Sequence, residues 1–306
     1  MKYIISFLSK FAFIFILLYL YFLKINLDVR DIKVALCTMG RMEHLYIQEF
    51  IEYYIKLGVN HIFIYDDNPP GIKSFSEGLD NKYKNIVTFY KTKELFIENQ
   101  SGAFTKCYRS NINKFDWFIM VDMDEYVYIV KDTLKEYLSN KVFNKCDFIK
   151  LHWVIPTDNE LLFYDPRPLF VRFKPPYKQS HVIKSIIRGN ITDLIYWVHS
   201  PNFSPKRNIT CDNEGKIIYY KEINFQSVQP ININKAYIIH FRFKSTEEFV
   251  NKIKRGYNNW FRNNTKEFLI RTIELYLTYN NPTIKKINLI EKELHLNLSN
   301  YKRIKI

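Results

Sequence analysis

The segment Trp117-Phe118-Ile119-Met120-Val121-Asp122-Met123-Asp124-Glu125-Tyr126 ends an apolar run on two carboxylates spaced i and i+2. If the strand stayed extended through them, Asp122 and Asp124 would project to one side. Their hard oxygens suit Mg²⁺ or Mn²⁺, and such an ion would clamp a diphosphate and draw off the charge that builds as a sugar departs. A solvated acidic turn after a strand has the same composition, with Glu125 as a carboxylate favoured by a helix dipole. The doublet therefore takes its meaning from what surrounds it.

A positioning framework is readable around it. Ile32–Cys37 reads as a buried strand, and Ile47, Phe50, Ile51 and Tyr54 follow at helical spacing. Gly58 supplies a helix stop, and Val59–Tyr65 is a second strand running into the turn 66–71, which closes a βαβ unit. Strand Ile86–Phe89, helix Gln100–Asn113, strand Trp117–Val121 and a short helix near Thr133–Leu138 continue the alternation of a doubly wound sheet. Ligands of such sheets bind at the carboxyl edge of the strands, where the acidic doublet falls.

Beyond Phe148 the pattern changes to strand-like runs at Phe148–Val154, Leu169–Phe173, Val182–Ile187, Leu194–Val198, Ile217–Tyr220 and Tyr237–Phe241, with mixed or antiparallel pairing expected. Ser245-Thr246-Glu247-Glu248 fits a capping box that opens a helix. Further helices are expected over Lys266–Leu277 and Thr283–His295. The reading is an α/β mixed sheet flanked by helices, with a helical C-terminal tail. Its domains are residues 1–27 as an anchor and flank, 28–260 as the main domain, and 261–306 as an extension packing on it.

With 17% aromatic and 47% hydrophobic residues, the 306-residue chain is unlike a disordered one. The +14 charge would suit nucleic acid, an anionic membrane or a nucleotide diphosphate, but the lysines are scattered and no nucleic-acid recognition motif is present. Cys37, Cys107, Cys146 and Cys211 lack a C-x-x-C pair, so they read as buried thiols or as one or two disulfides of unassigned pairing. Tyr3–Leu23 is apolar enough and long enough to span about 30 Å of hydrocarbon, with no cleavage pattern after it. A single-pass signal anchor is therefore expected. Its flanking charges leave the orientation open, and Asn-x-Ser/Thr acceptors from Asn99 onward would suit a Golgi or ER lumenal domain in a eukaryote.

The chain resembles glycosyltransferase family 92. The resemblance runs through Glu49–Tyr54, Gly58-Val59, Ile64–Asn68, Gln100, Ala103, Cys107, Asp122–Tyr126, Trp153, Asp158-Asn159, Tyr164–Pro168, Lys184–Ile186, Val198-His199, His240–Ser245, Lys252 and Arg255-Gly256. It implies a Rossmann-like GT-A fold and an inverting transferase. It also implies a hexose, often galactose, moving from its uridine diphosphate donor to a glycan acceptor with Mn²⁺ or Mg²⁺. On that basis Asp122, Asp124 and His240 are candidate metal ligands, His240 also being readable as a core histidine.

Inversion needs a carboxylate to take the acceptor hydroxyl's proton, and Asp158, after a strand and before a hairpin, is the expected base, with Glu160 second. An Asx-turn is the structural alternative for Asp158. Asp66 and Asp67 would hold the nucleoside or cap their turn, and Lys184, Arg242 and Lys244 would meet phosphate or solvent. Trp153, Glu160 and His199 would face the acceptor, Trp153 by stacking or simply as core.

Two other functions fit less well. A nucleotidyl- or phosphotransferase would want a Gly-rich phosphate loop or a denser carboxylate cluster, and neither is present. A membrane-tethered glycan-binding protein with a decayed site is opposed by the intact Asp122 and Asp124.

Overall fold

A computed structural model describes residues 32–202, 208–219, 227–255 and 266–298. β1 (Val34–Gly40), helix α1 (Ile47–Leu57), β2 (His61–Asp66) and β3 (Val87–Lys91) form the expected parallel start, with β1 beside β2 and β2 beside β3. Gly58 ends α1 at φ 108°, its N–H donating to the Ile55 carbonyl, a left-handed stop that glycine adopts without strain. α2 (Gln100–Asn111) leads into β4 (Trp117–Met120), which pairs with β1 on the side away from β2. β5 (Glu125–Ile129) and α3 (Leu134–Ser139) follow, α3 opening on a capping box of Thr133 and Glu136.

The second half supplies β6 (Phe148–Ile155), a short helix α4 (Leu169–Arg172), β7 (Lys178–Arg188), the small pair β8 (Ile195–Tyr196) and β9 (Pro201–Asn202), β10 (Thr210–Cys211) and β11 (Ala236–His240). The main sheet has nine strands in the order β3-β2-β1-β4-β7-β6-β11-β5, with β10 joined to β6. β7 runs antiparallel to β4 and β6, and β5 antiparallel to β11, so the sheet is mixed as expected.

Alternate residues of the central strands feed two cores. Val34 and Leu36, with Trp117 and Ile119, face the core that holds Phe50, Ile51 and Tyr54 of α1. Ala35 and Cys37, with Phe118 and Met120, face the one that holds Ala103, Phe104 and Cys107 of α2. Burial on both faces explains why these strands read as continuous apolar runs. A disulfide joins Cys37 of β1 to Cys107 of α2, and a second joins Cys146 to Cys211 of β10.

Two strand expectations are corrected. The run Leu169–Phe173 holds the short helix α4 over Leu169–Arg172, capped by Pro168 and Phe173, with Leu169, Arg172 and Phe173 buried. Ile217 makes an isolated bridge to Cys211, and no strand forms over the described part of 217–220. The C-terminal helices α5 (Thr246–Lys254), α6 (Lys266–Tyr279) and α7 (Ile284–Leu294) put Phe249, Ile273, Tyr276 and Ile290 into the first core. Among the described residues no helix is long and apolar enough to cross a membrane, and the anchor expected over 1–27 lies outside them.

Candidate active site

The chain does not stay extended through the acidic doublet. Between β4 and β5 the backbone turns, with the Glu125 N–H donating to the Asp122 carbonyl at 3.1 Å and the Asp122 N–H to Glu125 Oε2 at 2.9 Å. This reciprocal closure aims the two aspartates at different partners. Asp122 Oδ1 accepts from Lys184 Nζ of β7 at 2.8 Å and from the amide of Gln100 at the start of α2. Asp124 Oδ2 accepts from Lys252 Nζ of α5 at 2.7 Å, while its Oδ1 lies 3.4 Å from His240 Nε2 at the end of β11.

Met123, between the aspartates, is buried against β1. A Cβ on Gly40 would lie 1.8 Å from its sulfur. Glycine at the end of β1 is what permits this close approach.

His240 and Glu125 are directly opposite each other across the β11/β5 pair. Glu125 is fully buried, with Oε2 at 3.7 Å from Lys184 Nζ and Oε1 at 3.8 Å from His240 Nδ1. Glu125 Oε1 and His240 Nδ1 are both buried without a hydrogen-bond partner. The Trp153 ring meets His240 edge-on at 4.3 Å and His199 at 5.2 Å.

Burial opposes ionisation of Asp124, but Lys252 and then His240 outweigh it and hold the carboxyl well below the usual range. Burial, then the Asp122 charge, pushes Glu125 well up. Burial lowers His240 against the pull of Asp124. His199 donates from Nδ1 to the Ile183 carbonyl, and burial, helped by the Lys184 charge, drives it down to about 2. It is a neutral imidazole at physiological pH.

A second layer of charge lies alongside. Lys244 sits 3.5 Å over the Tyr46 ring and 3.1 Å from Glu43, which also pairs with Arg255. Burial lowers Lys244 despite Glu43. Arg242 Nε is buried with no partner, while the Arg242 carbonyl accepts from Lys252 Nζ at 3.1 Å.

Thus Asp122, Asp124, His240, Lys184, Trp153, His199 and Arg242 converge around the acidic turn, and Lys244 joins through Glu43. Other expected site residues are engaged elsewhere. Asp158 is 1% exposed, and both its oxygens are taken. Oδ2 accepts from Tyr276 Oη at 2.6 Å, and Oδ1 from Lys286 Nζ at 3.0 Å and from the Glu160 N–H. It is an Asx-turn fused to a buried ion pair, and it could not accept a sugar proton without breaking that pair. Glu160 is exposed, 3.6 Å from Lys286.

Asp66 spends both oxygens on its own loop, accepting from Asn68 N, Phe75 N and Ser74 Oγ. Asp67 is clamped by Arg41 and by Thr92 Oγ1. Trp153 is 5% exposed and cannot stack on a sugar, whereas Trp197, beside β8, is 49% exposed. The next residue's carbonyl, Val198 O, accepts from Lys184 at 2.8 Å. Sequence reasoning overlooked Trp197 and the roles of Glu43, Glu125 and Lys252. Glu125 had a local signal, its place at the first β5 position just after the doublet.

The metal expectation can be tested against this geometry. Among the described residues no three His, Cys, Asp or Glu side chains gather around one point. Asp124 Oδ1 and His240 Nε2 nevertheless have the spacing of two neighbouring ligands, since corners of an octahedral shell with bonds of ~2.1 Å lie ~3 Å apart. Mg²⁺-type sites commonly take one or two protein ligands and complete the shell with phosphate oxygens. Asp122 is committed to Lys184 and Gln100 and stands apart from that pair.

The family model described as glycosyltransferase family 92 matches residues 30–278. A family 92 glycosyltransferase protein of Oryza sativa subsp. japonica is 27% identical over 110 residues, 35% of this chain. That match spans only 18% of the rice protein's length. Among solved structures, S. aureus TarS 1–349 in complex with UDP superposes at a TM-score of 0.37 with 13% identity, covering 88% of this chain and 73% of that one. A second TarS structure gives 0.36 at 10% identity, covering 86% and 49%.

Proposed function

Because this chain belongs to glycosyltransferase family 92, we propose that it transfers a hexose, galactose first among candidates, from a uridine diphosphate sugar to a hydroxyl of a glycan acceptor with inversion, the exposed Glu160 taking the hydroxyl proton as the diphosphate leaves. The observation that carries this reading is the turn after β4, where Asp124 and His240 face each other beside Lys184, Lys252 and Arg242. A carboxylate–imidazole pair ringed by cations is suited to a diphosphate leaving group.

In this mechanism Asp124 and His240 would hold Mn²⁺ or Mg²⁺, and a bound ion would supply Lewis-acid stabilisation of the departing diphosphate. Lys252 holds Asp124 ionised and oriented through its second oxygen. The half-buried Arg242 guanidinium, whose Nε has no hydrogen-bond partner among the described residues, would offer charge to a phosphate oxygen through its more accessible nitrogens. Lys184 fixes Asp122 and, through the Val198 carbonyl, the backbone beside Trp197, whose half-exposed indole would offer a face to an acceptor sugar. His199 stays neutral and adds no charge to the site.

We place the domain in an oxidising compartment on a single-pass N-terminal anchor, a Golgi or ER lumenal location in a eukaryote. Two disulfides support the compartment. The direct test incubates the purified full chain with a panel of uridine and guanosine diphosphate hexoses and Mn²⁺ and measures released nucleotide. A uridine diphosphate hexose is expected to turn over and Asp124→Ala to abolish it. Unchanged turnover in that variant removes the reading.

A further inference from the structure

A cleft of about 460 Å³ opens between the loop that leaves β6 and the C-terminal end of α6 with the loop after it. That volume falls within the ~300–1,000 Å³ of small-molecule sites. The first loop contributes Thr157 and Glu160, and the helix end contributes Tyr279, Asn281 and Pro282. β6 runs parallel to β11, with Val154 beside Ile239, so the loop after Ile155 leaves the sheet at the same edge as His240. The cleft therefore shares the sheet edge that carries the acidic turn.

Both sides are fixed before a ligand arrives. Lys178 Nζ, at the start of β7, donates to the Thr278 and Tyr279 carbonyls at 3.2 and 2.8 Å. Behind it the Asp158 N–H donates to Asn280 Oδ1 at 2.6 Å, and Tyr276 Oη to Asp158 Oδ2 at 2.6 Å. A preorganised site loses less to ordering when it binds. Asn159 and Glu160 hold φ of 48° and 62°. A glutamate in this left-handed region carries backbone strain of the kind that collects at ligand clamps, and its side chain is left 61% exposed.

Charge selects the ligand. Lys178 is committed to two carbonyls, and Lys286 to Asp158 and Glu160, so the cleft offers an anion little. What it presents is the Glu160 carboxylate, the Thr157 hydroxyl, the exposed Asn281 amide and the Tyr279 ring. Such groups pair with the hydroxyls and apolar faces of a neutral sugar.

We propose that this cleft binds a neutral sugar of the acceptor glycan and that the segment after α6 selects it, with Asn281 as a specificity-determining residue. The proposal rests on the transferase reading above. Tyr279, Asn281 and Pro282 lie beyond residues 30–278, which match the family model, so the selecting side of the cleft is outside the matched stretch.

The experiment supplies the full chain with Mn²⁺ and the uridine diphosphate hexose that turns over in the panel above. Nucleotide release is followed alone and with the methyl glycosides of galactose, glucose, mannose, N-acetylglucosamine and glucuronic acid. At least one neutral glycoside is expected to accelerate release by wild type. Asn281→Trp, which fills the cleft, is expected to raise that glycoside's KM roughly tenfold or more, with the donor KM within about twofold of wild type. Asn281→Ala, which removes only the amide, is expected to raise the glycoside KM severalfold with kcat kept, and thermal melts confirm that each variant is folded. An unchanged glycoside KM in the folded variants overturns the cleft assignment and leaves the transferase standing. Donor turnover that no glycoside accelerates, or that the glucuronide alone accelerates, overturns it as well. No release from any donor removes the transferase reading and this proposal with it.

Discussion

The sulfur of Met123 occupies the place where a side chain at Gly40 would begin, 1.8 Å from the Cβ position. β1 thereby sets the height of the turn that carries Asp122 and Asp124. Gly40→Ala is expected to cost about 1–3 kcal/mol by overpacking and to reduce turnover more than stability alone explains. The crowding is mutual, so Gly40→Ala/Met123→Ala should be more stable than the sum of the single changes. Denaturant melts and nucleotide release on the four chains of this cycle check it, and simple additivity counts against the contact.

Asp158 is expected to act in stability. Its ion pair with Lys286 lies at 1% and 2% side-chain exposure, where removing one partner strands a buried charge. Asp158→Asn is expected to lose about 3–5 kcal/mol, with turnover per folded molecule close to wild type. A large fall in kcat without a fall in melting temperature would return the general-base role to this residue.

His199 should make the protein acid-labile. Burial holds its folded pKa at about 2, while the unfolded chain takes up a proton near 6.5. The unfolded state therefore binds more protons below pH 6.5, and stability falls as pH drops from 6.5. The limiting slope is about 1.4 kcal/mol per pH unit, before solvent screening reduces it. The difference in stability between wild type and His199→Gln, measured by urea melts, should shrink from pH 7 to 5. A constant difference contradicts the assignment.

All four cysteines are paired across long loops, at sequence separations of 70 for Cys37 and Cys107 and 65 for Cys146 and Cys211. In the chain-entropy picture each closure stabilises by about 4 kcal/mol. Maleimide labelling of the denatured, unreduced chain should find no free thiol, and reduction should lower the melting temperature sharply. Four labelled thiols would contradict both pairings.

Much of this protein is determined by its sequence alone, wherever a feature depends on residues close along the chain. The βαβ start, the glycine stop at Gly58 and the Ser245 and Thr133 helix starts follow from local periodicity, steric permission and short-range hydrogen bonds. So does delivery of Asp122 and Asp124 to the end of β4, at the sheet edge where ligands bind.

Tertiary structure decided which groups meet those carboxylates. Lys184 arrives from β7 because β7 reverses beside β4, and Lys252 arrives from a helix 128 positions beyond Asp124. It also buried Trp153 while exposing Trp197, and it turned Asp158 toward Lys286. These choices depend on register and burial across the sheet. Electrostatic partners are selected by distance in space, and spacing along the chain carries that distance only within a few residues.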